Sequence, residues 1–138
     1  MGFPSRRPSL ILAGNVGASS PADSTTFYLG ANAALLSATA ALSNIYVPRC
    51  VIRGGRIDVV VAGTTGSGET STLYLRVDNT TDHQLTASIT HGSLAQSFAF
   101  ADLGLPLAED QAVQFKIVHP AWATNPTVVY YGISLRIQ

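Results

Sequence analysis

The chain has 138 residues, enough for one domain that buries its own core without staples. Eight basic residues cancel eight acidic ones, charged residues make up 12% of the chain, and Lys116 is the single lysine, so the clustered cations that a nucleic-acid partner requires are missing. The single cysteine, Cys50, excludes an intramolecular disulfide framework, and no apolar run is long enough to cross a bilayer as a helix.

A surface so poor in charge and rich in Thr, Ser and Ala is prone to association, so an oligomer or a component of a larger assembly is expected. Residues Met1 to Ser24 hold Pro4, Pro8 and Pro21 around one apolar island, Leu10, Ile11 and Leu12. Such a segment has too little apolar surface to offset its ordering entropy. The expectation is an extended N-terminal arm over residues 1–24, held by trimer mates or by a larger lattice, the alternative being an arm that lies on its own domain. Arg6 and Arg7 precede an apolar stretch too short for a signal peptide, so export by that route is not expected.

From residue 25 the pattern is of short strands. Thr25 to Gly30 places Phe27 and Leu29 on one face. Ala31 to Ser43 has the Ala and Leu content of a helix but no clean cap, and reads as a short helix or a long loop. After Pro48, Arg49 to Ala62 alternates through Ile57, Val59 and Val61, with a bulge or bend expected at Gly54 and Gly55. Leu73 to Val77, Leu85 to Ile89, Leu94 to Phe100 and Val113 to Ile117 follow, separated by turn signals. The last stretch, TVVYYGISLRIQ, carries Val129, Tyr131, Ile133, Leu135 and Ile137 on one face of a strand. Burying those five is worth roughly 1.5 to 3 kcal/mol each, which predicts a central strand. On its opposite face Val128 and Tyr130 precede Gly132, a combination that admits close approach and marks a candidate subunit contact. The fold expected is all-β, an antiparallel jelly-roll sandwich of about eight strands over residues 25–138 with the arm in front.

Chemistry-bearing motifs are sparse. Gly63 to Thr70 approaches a phosphate-binding loop, but Glu69 stands where the motif needs lysine. Asp78, Asp82, His83 and His91 bracket one expected hairpin at spacings that fit no zinc or calcium pattern, and turns recruit Asp for their own backbone. Cys50, at the start of an apolar run, reads as a buried thiol. His119, before Pro120, reads as the end of a strand. Asn79-Thr80-Thr81 is a glycosylation acceptor only in a secretory pathway. Trp122, in the loop PAWATNP, either stacks on a sugar or a neighbour or folds back over the barrel end. No active site, cofactor or metal site is expected.

The closing strand VVYYGISLRI resembles that of the trimeric jelly rolls of the tumour necrosis factor and C1q kind. The wider series IYVPRCVIRGGRIDVVV, STLYLRVDNTTDHQLTASI and LAEDQAVQFKI resembles structural jelly rolls of tailed bacteriophage virions, over about Phe27 to Ile137. A departure lies at PRCV, Pro48 to Val51, where phage relatives tend to have a glycine-containing turn. The resemblance implies a homotrimer with Tyr130 turned toward the axis and Val128 and Gly132 beside it. It also implies a role as a capsid decoration protein, located on the virion head surface, assembled in the host cytoplasm and partnered with the major capsid protein, with no nucleic-acid or membrane partner. Phe3, Arg6, Arg7, Leu10, Ile11 and Leu12 would then be the capsid-binding arm. The alternative is a receptor- or carbohydrate-binding module at a tail or fibre tip, using Trp122 and Tyr74. A secreted signalling ligand and an enzyme are the least expected readings.

Overall fold

The computed structural model describes residues 9–19, 23–30, 38–62, 68–86, 88–91 and 96–138. Its strands are β1 (Ser9–Ser19), β2 (Thr25–Leu29), β3 (Ile45–Tyr46), β4 (Cys50–Ala62), β5 (Thr70–Val77), β6 (Thr81–Gln84), β7 (Ile89–Thr90), β8 (Gln96–Phe100), β9 (Leu105–Leu107), β10 (Ala112–His119) and β11 (Val128–Ile137). They form two antiparallel sheets, one ordered β1-β11-β4-β8 with β9 beside β4, the other β2-β10-β5-β6 with β3 beside β10 and β7 beside β5. The three shortest strands, β3, β7 and β9, have two, two and three residues. Set aside, they leave eight, and numbering those in chain order gives sheets 1-8-3-6 and 2-7-4-5. Each connection between successive strands either crosses between the sheets or, from the fourth to the fifth, closes a hairpin. This is the winding of a jelly roll, as the alternation predicts.

The first sheet departs from expectation at its beginning. Residues 9–19, read as part of an arm, are its first strand, and the unit does not begin at residue 25. Leu10, Ile11 and Leu12 stand opposite Leu135, Ser134 and Ile133, and after an irregularity between Leu12 and Val16 the pairing resumes with Val16 opposite Tyr131. The physical reason lies in β11: without β1, one whole side of that long strand would present unpaired N–H and C=O groups. Phe3, Arg6 and Arg7 lie outside the described residues.

The core sits between the sheets and is built by the expected faces. Val129, Tyr131, Ile133, Leu135 and Ile137 from β11 meet Ile52, Ile57, Val59 and Val61 from β4, and Leu73, Leu75, Val113, Phe115 and Ile117 from the second sheet. The bend in β4 falls at its glycines: Gly55 opposes Leu135 while Ile52 opposes Ile137, a register shift that lets Ile52 and Ile57 both point inward. A Cβ on Gly55 would lie 2.1 Å from the Ser134 carbonyl oxygen and 2.5 Å from the Phe100 ring.

Two loops are tighter or more structured than their sequences suggest. The turn after β5 takes three residues, with left-handed backbone at Asp78 (φ 50°) and Asn79 (φ 59°), so pairing resumes at Thr81 and β6 ends before Leu85. Asn and Asp tolerate that conformation better than other side chains. Leu85 and Thr86 then donate backbone hydrogen bonds to the Leu73 carbonyl, and the run expected as one strand through Ile89 is split. Within Ala31 to Ser43, residues 31–37 lie outside the described residues, and Ala40–Ser43 forms one 3-10 turn.

Candidate functional site

Two places in the fold gather side chains that the sandwich alone does not require. The first is the outer face of the β1-β11-β4-β8 sheet. Directly opposite partners across antiparallel strands share a face, and Tyr130 pairs with Val60. Tyr130 is 36% exposed and Val60 is 40% exposed, while Val128 beside them is half-buried. Gly132 follows on the same face, opposite Asp58, and a Cβ added there would meet nothing nearer than Asp58 Cβ at 3.9 Å. Among the described residues no group fills the space of the missing side chain. Thus the three residues expected at a subunit contact lie together, and Val60 joins them from β4.

Toward the other end of this face the character changes from apolar to basic. Arg56, Ser134 and Arg136 line a groove of about 340 Å³ with Gly55, Ala99 and Phe100. Arg56 donates from Nε and Nη2 to Ser97 Oγ at 3.1 and 2.9 Å. Arg53 nearby is paired with Asp102 and donates to Gln138 Oε1.

The second place is a buried polar cluster that ties the two sheets together. Tyr131 reaches across from β11, its hydroxyl 2.8 Å from His119 Nε2 and 3.4 Å from both Ser71 Oγ and His91 Nε2. Ser71 Oγ lies 3.0 Å from His91 Nε2. Trp122 closes the group from above, its ring centroid 4.4 Å from that of His119 and 5.1 Å from that of His91, and its Nε1 donates to the Thr70 carbonyl at 2.7 Å. Glu69 holds the loop over the cluster, one carboxylate oxygen accepting from the backbone N–H of both Ala123 and Thr124 at 3.1 Å. Burial pushes the His91 imidazole down to about 4, the Glu69 carboxylate partly opposing the shift. Burial likewise raises the Tyr131 phenol well above its ordinary range, with the Ser71 hydrogen bond opposing.

A serine hydroxyl against a histidine has the composition of a nucleophile and its base. Here Ser71, His91 and His119 are all buried, and the groove described above opens elsewhere. The cluster thus ties the two sheets together from positions that are buried among the described residues. The sequence does not show it as a cluster because its members come from separate segments: Glu69, His91, His119 and Trp122 each draw attention there, but for unrelated reasons, and Ser71 does not. The alternation that put Tyr131 inward was the one available signal, since a buried phenol must find partners.

The remaining candidates disperse. Trp122, 7% exposed, takes the fold-back course and gives its ring to the interior rather than to a ligand. Tyr74 is half-buried with Lys116 Nζ 5.3 Å above its ring. Asp82 pairs with Arg76 and Lys116, Asp78 accepts from Gln111 and from the Ala112 N–H, and His83 lies half-buried on β6, apart from His91. Of the Gly-rich loop, residues 63–67 lie outside the described residues, and Glu69 is engaged as above. Cys50 is buried, and its thiol is raised by desolvation.

No protein-family model matches this chain, and no curated protein matches it. Among solved structures, a chain from the structure of infectious bursal disease virus Gx strain matches with a TM-score of 0.52 at 12% identity, over 96% of this chain. The match spans 31% of that longer chain. At this identity the likeness is one of fold, and it places the protein among all-β antiparallel sandwiches of jelly-roll kind.

Proposed function

We propose that the protein is a non-enzymatic structural component of a virion, a jelly roll that assembles as a homotrimer and binds a phage head as a decoration protein. The observation that carries the reading is the Tyr130–Val60 pair, apolar and exposed on the outer face of a sheet. The jelly-roll winding, the fold likeness to part of a chain in a virus structure and the low charge of the surface support it. Mechanistically, three copies bury the Val60, Val128 and Tyr130 face against one another around Gly132. Residues preceding β1, with Phe3, Arg6 and Arg7, contact the major capsid protein. Several simultaneous contacts make dissociation slow, because all must release together.

The pairing of β1 with β11 changes the experiment that tests the capsid contact. Deleting residues 1–20 would strip a strand from the sheet, whereas deleting residues 1–8 leaves every described strand in place. The expected result is a folded trimer that no longer co-sediments with capsids lacking their own decoration protein. Undiminished co-sedimentation would remove the N-terminal contact from the account. A glycan-binding role gains nothing from the geometry, since Trp122 is buried.

A further inference from the structure

The charges of this chain are few, and about half of those described are paired or accept backbone hydrogen bonds within it. Among the described residues the ion pairs are Arg53–Asp102, Arg76–Asp82 and Lys116–Asp82. Glu69 and Asp78 accept backbone hydrogen bonds. Two groups stand apart. One is the groove between Arg56 and Arg136: Arg56 keeps Nη1 without a partner among the described residues, and the exposed Arg136 guanidinium lies over Gly54, 3.2 Å from where a Cβ would sit. The other is the turn between β9 and β10, where Glu109 and Asp110 are both exposed. That turn is rigid. Asp110 has φ 63°, its N–H bonds the Val47 carbonyl at 2.9 Å, and Gln111 clamps the turn through the Ala108 N–H at 2.8 Å. Arg49 lines the same hollow as Glu109 without forming an ion pair with it.

We propose that the Arg56–Arg136 groove receives the Glu109–Asp110 turn of a second copy of this chain, so that each subunit contributes a basic groove to one neighbour and an acidic turn to the other. This rests on the trimer reading and deepens it. Three features of the fold support it. The groove is continuous with the Val60–Tyr130 patch along β4 and β11, so one docking event would cover both. Arg136 lies between Leu135 and Ile137, whose partners are Gly55 and Ile52, and the turn continues from Leu107 opposite Cys50, so the groove opens toward the end of the sheet at which the turn sits. A heterologous contact repeated by rotation closes into a ring. Finally, arginine forks are matched to carboxylates, and a pre-organised turn loses little freedom on docking. Asp58, on the same face and two residues from Arg56, is a repulsive neighbour that disfavours an acid placed nearer the patch.

The test is a charge exchange followed by sedimentation over a range of concentrations, with Trp122 fluorescence reporting folding. Arg56→Glu with Arg136→Glu removes the groove; Glu109→Lys with Asp110→Asn removes the turn, asparagine being able to keep the left-handed backbone. Each pair should weaken association roughly tenfold or more, and all four substitutions in one chain should restore it. Association of either pair at the wild-type level would assign the groove to some other anionic partner and overturn the proposal, as would a fourfold variant no better than its halves. A wild-type protein that is monomeric at every concentration would defeat the trimer reading along with it; a wild-type trimer indifferent to the substitutions would defeat this inference alone.

Discussion

Tyr131 shows how much depends on one atom. Its ring belongs to the core by alternation, but its hydroxyl carries the first sheet into a network with His119, Ser71 and His91 of the second sheet and its loops. Tyr131→Phe leaves His119, Ser71 and His91 to share fewer partners in a buried site, and a buried polar group deprived of its hydrogen bond costs about 1–3 kcal/mol. Urea denaturation should record a loss of that size. His91 carries a second consequence. With its folded-state value near 4 against an ordinary 6.5, the unfolded chain takes up a proton that the folded chain refuses as pH falls through this window. Stability is therefore full above pH 6.5 and declines down to about 4. Trp122, the single tryptophan, packs against this imidazole, so melting followed by its fluorescence at several pH values reads the effect directly. His91→Gln should flatten the decline over that range; an unchanged slope would place the acid sensitivity elsewhere.

At the level of elements, two glycines inside neighbouring strands have opposite meanings. Gly55 is required by packing inside the chain, because its missing Cβ makes room for a carbonyl oxygen and the Phe100 ring. Gly55→Ala should lower the melting temperature markedly, by the roughly 1–3 kcal/mol that overpacking costs. Gly132→Ala should fold almost as well as the parent, with any effect confined to association, because among the described residues the nearest neighbour lies at 3.9 Å. The bend at Gly54 and Gly55 was legible in the sequence, as were β4, β5, β10 and β11, since each alternates cleanly over several residues. β1 was not. Its large apolar residues are consecutive but for Val16 and its remainder is Gly, Ala, Ser and Asn, so neither period nor propensity marks a strand; only the open side of β11 requires one. β9 was hidden for a related reason, being three residues with proline in the middle, tolerable where pairing is brief and at a margin.

For the molecule as a whole, a two-sheet sandwich is readable from spacing, because seven alternating runs separated by turns have few compact solutions, although the first strand of the winding is not among them. The buried cluster was not readable, because it is assembled by that winding from segments far apart in the chain. The candidate interface lies between these cases: Tyr130 and Gly132 announced themselves as an irregular face of the closing strand, while Val60 and the arginine groove emerged only when β4 was placed beside it. The account therefore turns on whether this outer face is covered in the working protein. Sedimentation equilibrium of the full chain, beside Tyr130→Glu, addresses it most directly. The account predicts a species of three times the 14.5 kDa chain mass that the substitution converts to a folded monomer. A wild-type protein sedimenting as a single 14.5 kDa chain throughout the concentration range would contradict it.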